Sequence, residues 1–243
     1  MRIGSAVECL PLRTPEDVVA DEIVEYSHQA LRKSRFFSAL AADQVSMDRF
    51  TYVLGQYRLL RDRFHTWFGL CIFKSGTCDD DNVRAAVLAL AEHIAIEMRD
   101  GHDRLFRQFL VDIGLSEPAM RAMARSEATR RYDESFFARF GLDGETFFDA
   151  VSALSAREIF HSIRNEYVLT HFLRSRGFGD SEWWTLHVDL ELDHFKAAVQ
   201  PVLRRGDGEA AVAALVSIVK REIDRHVQYW DELLEEAEAA GAC

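Results

Sequence analysis

Helix breakers are scarce in this sequence of 243 residues. It holds four prolines, Pro11, Pro15, Pro118 and Pro201, and about a hundred residues separate the second from the third. Long unbroken stretches rich in Ala, Leu, Glu and Arg favour helices. Period-2 alternation between turn signals is missing, so no strand is expected. Cysteine is sparse as well. Cys9, Cys71, Cys78 and Cys243 form no C-x-x-C pair, and their spacing gives no zinc or disulfide framework. The longest apolar run, Ala210 to Val219, is about half of what a membrane span needs. Met1 to Pro15 contains no apolar core of a signal peptide, so a cytoplasmic location is expected. Positive charge is in deficit: 29 Lys and Arg against 40 Asp and Glu give a net charge of −11. Nucleic acid is therefore not an expected partner, since phosphate contacts need clustered cations.

What is present is hydrophobic residue, 48% of the chain, enough for one substantial core. A single domain spanning 1–243 is expected, built from seven helices. The first opens at Thr14-Pro15, an N-cap followed by proline at the first helical position, and runs to about Lys33. The second is capped by Ser46 and reaches Phe73. The third runs from about Asp80 to Ile113 with a weak point at Asp100-Gly101, and the fourth from Ser116 to about Phe140. The fifth spans about Glu145 to Ser175. The sixth runs from Glu182 to about Arg204, and the last follows Gly206-Asp-Gly and ends near Ala239. Short links between long helices make an antiparallel all-α bundle.

The sixth helix carries His187-Val-Asp-Leu-Glu191-Leu-Asp-His194. At 100° per residue, His187, Glu191 and His194 fall within an arc of about 60°. Two imidazoles and a carboxylate on one face suit iron, manganese or zinc. On the fifth helix, Glu158 sits among Val151, Leu154, Ile159 and Phe160, and a carboxylate turned inward there needs a cation or hydrogen bonds. The bland alternative is a surface glutamate paired with Arg157. The third helix is dense in ligand types: Glu92, His93, Glu97 and His102. On a regular helix Glu97 and His102 stand about 140° apart, so they share a metal only if the helix is broken or bulged, for which Gly101 is the obvious place. His93 and Glu97, spaced i,i+4, pair with each other in the simplest reading.

The order Glu97, His102, Glu158, His187-x3-Glu191-x2-His194 resembles that of the haem-oxygenase-like di-iron oxidases and oxygenases, within the superfamily that includes haem oxygenase and thiaminase II. The opening segments Ser27-His-Gln-Ala-Leu-Arg-Lys-Ser-Arg-Phe-Phe and Met47-Asp-Arg-Phe-Thr-Tyr-Val-Leu-Gly-Gln-Tyr are similar too, as is Phe106-Arg-Gln-Phe-Leu-Val-Asp-Ile-Gly-Leu. The resemblance implies a seven-helix haem-oxygenase-like bundle. It implies Glu97, His102, Glu158, His187, Glu191 and His194 as ligands to two Fe(II), with O2 as co-substrate. It also implies a small substrate, an amino acid or related amine, undergoing N-oxygenation, C–C cleavage or desaturation in a biosynthetic pathway, and a homodimer as a common assembly. Only four residues separate Glu97 from His102 where many members have more, which leaves Glu92, His93 or Asp62 as substitutes for Glu97. His161, Asn165, Arg99 and Tyr57 are candidates for contact with substrate or support of the ligands. Tyr57, Arg61, His65 and Phe68 form a stripe that reads more simply as core packing with a snorkelling arginine.

Three other readings compete. A haem oxygenase would use His28 as its haem ligand but would not need His187, Glu191 and His194. A ferritin-like protein would use Glu158-x-x-His161 and Glu191-x-x-His194, leaving His187 over. A metal-independent thiaminase-like or binding protein on the same fold would need a nucleophilic cysteine or another polar pocket.

Overall fold

The computed structural model describes residues 14–99, 101–189, 191–206 and 208–241. The side chain of Glu191 lies outside the described residues, as do Cys9 and Cys243. Among those residues there are twelve α-helices and no strand: α1 (Pro15–Lys33), α2 (Arg35–Ala41), α3 (Met47–Arg61), α4 (Phe64–Lys74), α5 (Asp81–Arg99), α6 (His102–Asp112), α7 (Glu117–Ala122), α8 (Glu127–Phe140), α9 (Phe147–Val168), α10 (Glu182–Asp189), α11 (Glu191–Arg205) and α12 (Gly208–Ala239). A π-helical turn, Leu169–Leu173, and a 3-10 turn, Arg174–Arg176, continue α9. The all-α bundle is as expected, but the count of seven helices is not, because several expected rods are jointed.

The joints have local causes. Thr14 and Asp17 close a reciprocal capping box on α1, with Pro15 at its first position. Ser46 and Ser116 cap α3 and α7 through their side chains. The expected second helix divides at Asp62, which is drawn into ion pairs with Arg58 (2.7 Å) and Arg107 of α6 (2.9 Å). The expected fourth helix divides after Met123, whose backbone is extended. There the Gln56 side chain serves both ends of the gap: its amide donates to Ala124 O and its carbonyl accepts from Ser126 N. The third divides at Gly101, which is left-handed (φ 71°).

α9 is the axis of the molecule. It packs on α1, α10, α11 and α12, and nearly every residue from Phe147 to Asn165 is buried. A helix enclosed on all sides must be apolar on all sides, and α9 largely is. Arg157, Glu158, His161 and Arg164 are its buried ionisable residues. Around it α5, α10 and α11 form the wall that carries the ligand-type residues.

Candidate metal centre

Two groups of three donors face each other across this wall. Glu97, His102 and His187 form one, and His93, Glu158 and His194 the other; within each group the donor atoms lie within 4.8 Å of one another. In the first, Glu97 Oε1 is 2.6 Å from His102 Nδ1 and 3.6 Å from His187 Nε2. In the second, His93 Nε2 is 3.7 Å from Glu158 Oε2, and the His93 and His194 rings meet edge to face at 4.6 Å. Each group holds two imidazoles and one carboxylate, the donor set of non-haem Fe(II) sites that leaves coordination positions open.

Gly101 assembles the first group. Its left-handed backbone ends α5 and starts α6 at His102, which turns an angular separation unsuited to a shared ion into a 2.6 Å contact. The expected break is found. His187 is oriented from behind: its Nδ1–H donates to Trp183 O at 2.6 Å, one helical turn back. Nε2 is thereby left with its lone pair directed at Glu97, buried and without a hydrogen-bond partner. Burial lowers the pKa of His187 and keeps it neutral. An imidazole with one nitrogen fixed on a carbonyl and the other unsatisfied fits a metal ligand.

Glu97 is held ionised. Burial alone would raise its pKa, but the hydrogen bond with His102, the neighbouring His187 ring and the charge of Arg61 bring it well below the ordinary carboxylate range. Arg61 Nη2 donates to Glu97 Oε2 at 3.2 Å, and the guanidinium also lies over the rings of Trp183 and Phe106. The pKa of His194 is lowered by burial and then by the neighbouring His93.

Five of the six expected ligands are thus brought together in two sets. His93, which sequence reasoning paired with Glu97, instead belongs to the second set with Glu158. Residues spaced i,i+4 share a helix face, yet two adjacent ions can divide that face between them. Asp62 is not a substitute ligand, being occupied by Arg58 and Arg107, and Glu92 is exposed at the mouth of a cavity. Arg99 is exposed and lines neither cavity beside the ligands. Tyr57 and His161 do line the inner cavity, with the Tyr57 hydroxyl 3.3 Å from His161 Nε2. Asn165 is fully buried but faces Arg164, whose Nε and Nη2 donate to its Oδ1. His28 is half-buried on α1 and lines neither cavity. Of the described cysteines, Cys71 is buried and burial pushes its thiol up to about 12, the opposite of a nucleophile's environment.

Sequence reasoning named His93 only as a substitute for Glu97 and Arg157 only as a surface partner of Glu158, and it overlooked Arg164. The signal was present: Arg157, His161 and Arg164 recur at i, i+4 and i+7 on an otherwise apolar helix.

No family model matches the chain. Among curated proteins it is similar to a 4-chloro-allylglycine synthase from Streptantibioticus cattleyicolor, with 26% identity over 168 residues, 65% of this chain and 61% of that protein. The alignment therefore spans about three fifths of the relative's length. Solved structures share the fold. A domain with a haem-oxygenase-like fold from Shewanella denitrificans superposes with a TM-score of 0.72 at 11% identity, covering 91% of this chain and 92% of that one. A CADD-like protein from Nostoc punctiforme gives 0.70 at 17% identity, covering 91% and 98%. A TenA family protein from Silicibacter gives 0.65 at 16%, covering 92% and 98%. The fold is haem-oxygenase-like.

Proposed function

We propose that the chain is an O2-dependent non-haem di-iron oxidoreductase acting on an amino acid or related amine. The observation that carries this reading is a pair of buried triads, each of two histidines and one carboxylate: Glu97/His102/His187 and His93/Glu158/His194, built side by side on α5, α6, α9, α10 and α11. Glu191, between His187 and His194 in sequence, is assigned as the third carboxylate. Three carboxylates against two ferrous ions leave only a small surplus of charge, reasonable for an interior site. The similarity to 4-chloro-allylglycine synthase supports an amino-acid substrate, since that name describes the formation of an unsaturated amino acid.

A bound ferrous pair supplies the electrons that reduce O2. The protein's residues do the rest. Trp183 O and Arg61 fix His187 and Glu97 in their donor geometry. Phe64, Trp67 and Phe68 wall the inner cavity and keep bulk water from it. Tyr57 and His161 are in hydrogen-bond reach of each other in that cavity, and burial followed by the charges of Arg164 and Arg157 keeps His161 neutral, so the pair can hold a proton beside the ligands. On the other side, a cavity of about 250 Å³ walled by Leu90, Ile96, Leu154 and Ala198 offers an apolar chamber against His93, Glu158 and His194.

The test is an anaerobic Fe(II) titration of the iron-free protein, followed by O2 uptake with candidate amino acids. About two irons per chain are expected, and His194→Ala or Glu158→Ala should abolish iron-dependent O2 consumption. A variant with full activity, or a protein that takes up no iron, would sink the reading.

A further inference from the structure

The interior beside the candidate ligands holds more positive charge than the described residues neutralise. Arg61 and Arg157 line the inner cavity, Arg164 lies over the ring of Tyr57, which lines it too, and Arg157 and Arg164 are only 5% and 1% exposed. A buried guanidinium is costly unless an anion or hydrogen bonds compensate it. Arg61 has Glu97. Arg164 has the neutral amide oxygen of Asn165 and the Tyr57 phenol, and its Nη1 has no partner. Arg157 lies over Trp67 and Phe136, 4.7 and 5.3 Å from the ring centroids, and its Nη1 also has no partner. Among the described residues no carboxylate pairs with Arg157 or Arg164. The nearby buried acids have other partners: Glu97 and Glu158, which line the same cavity as Arg157, pair with Arg61 and His93, Glu222 with Arg139, and Asp133 with Arg63 and Arg125.

The cavity that Arg157 and Arg61 line measures about 30 Å³. That is room for one or two waters, or for a carboxylate group. It shares Phe68, His93 and Glu158 with the larger apolar chamber. Phe68 and the His93–Glu158 pair therefore stand between a small pocket lined by Arg61, Arg157, Glu97 and Glu158 and an apolar one. The field of the arginines is visible on their neighbours: burial alone would raise the pKa of Tyr57, yet Arg164, Arg61 and Arg157 bring it below its ordinary value.

We propose that Arg157, assisted by Arg61, binds the carboxylate of the substrate in this inner pocket, so that the substrate's aliphatic part runs past Phe68, which lines both cavities, into the apolar chamber. A guanidinium offers two parallel N–H donors to a carboxylate, and Arg157 Nη1 is buried without an acceptor in the protein. The choice of an amino acid as ligand rests on the function proposed above; the anion site itself does not depend on iron.

The experiment is calorimetric titration of the full chain, iron-free and anaerobically Fe(II)-loaded, with L-norleucine and with its carboxamide. L-norleucine should bind in both states, and the carboxamide about 10- to 100-fold more weakly, as expected for loss of a charge-assisted contact. Arg157→Gln should weaken L-norleucine by a similar factor and leave the carboxamide unaffected, while Arg157→Lys should recover part of the loss. The wild-type comparison of acid with carboxamide stands even if a variant fails to fold. Equal affinity for acid and carboxamide, an Arg157→Gln protein that binds like wild type, or no saturable binding of L-norleucine would each overturn the proposal. Absent iron uptake with Arg157-dependent binding retained would instead refute only the di-iron reading.

Discussion

Replacing Gly101 by Ala tests the joint on which the first donor triad depends. Gly101 is left-handed at φ 71°, and the atom nearest to an added Cβ would be Arg104 Nε at 3.7 Å, an ordinary contact. Steric clash with neighbours is therefore small, and the cost is that of forcing an L-residue into the left-handed region, about 1–2 kcal/mol. For a chain of this size that corresponds to a fall in Tm of roughly 2–8 °C. The backbone has one way to escape the strain. If residue 101 relaxes to right-handed geometry, α5 and α6 merge, and Glu97 and His102 swing about 140° apart. Stability would then fall less, but Fe(II) affinity at that triad would fall more. Chemical denaturation and anaerobic Fe(II) titration of the same variant read both arms. Gly101→Asn should be milder on both, because Asn tolerates the left-handed region better than other residues. Unchanged stability together with unchanged iron affinity in Gly101→Ala would show that the joint does not hold His102 on Glu97.

The remaining predictions concern separate parts of the molecule. His93→Ala should lower the Fe(II) stoichiometry from two towards one or sharply weaken the second iron, whereas a ligand set without His93 leaves both; two irons at wild-type affinity would remove His93 from the set. Cys71 should resist iodoacetamide in the native protein at pH 8 and react on unfolding, because burial pushes its thiol up to about 12; rapid native labelling of the Cys71 peptide by mass spectrometry would contradict this. Asp17 is held at about 2 by hydrogen bonds from Lys196 and Thr14. A carboxylate depressed on folding contributes stability above its unfolded pKa and loses it as pH falls through the folded one, so its share is lost between about pH 4 and pH 2. Lys196→Ala should move the Asp17 titration, followed by NMR, towards 3.8 and flatten the stability profile in that window; an Asp17 already titrating near 3.8 in the wild type would refute the contact.

The helices were legible wherever their ends are written locally. Thr14 with Asp17, Ser46 and Ser116 are caps whose side chains bond within three residues, and each starts a helix where expected. The joint at Gly101 was legible for the same reason, being a property of one residue's backbone. The joints at Asp62 and after Met123 were not, because neither contains a breaker. Asp62, the last residue with helical geometry before Arg63, pairs with Arg107, forty-five positions away, and the gap before Ser126 is closed by Gln56, seventy positions away. A period read along the chain cannot register partners that only the fold brings together.

The site shows the same division, with one instructive exception. His187 and His194 were singled out because 100° per residue puts them on one face with Glu191, whereas Glu97 and His102 entered through the family resemblance, on condition of a break such as the one at Gly101. His93 was assigned to Glu97 because face-sharing was taken to mean pairing, and only the position of Glu158 on a different helix separates the two. Arg157 and Arg164 are the exception, since nothing about them required the structure. Phe147 to Val168 carries Phe, Val, Leu, Ile and Ala on every side of the helix. A helix without a polar face has no surface to give to water. Any charge it carries must then be met inside the protein, and Arg157, Glu158, His161 and Arg164 follow one another within eight residues of it. Glu158 is met by His93, and the proposed metal would add a cation. Arg157 has no carboxylate partner among the described residues, and the proposed substrate carboxylate would answer its charge.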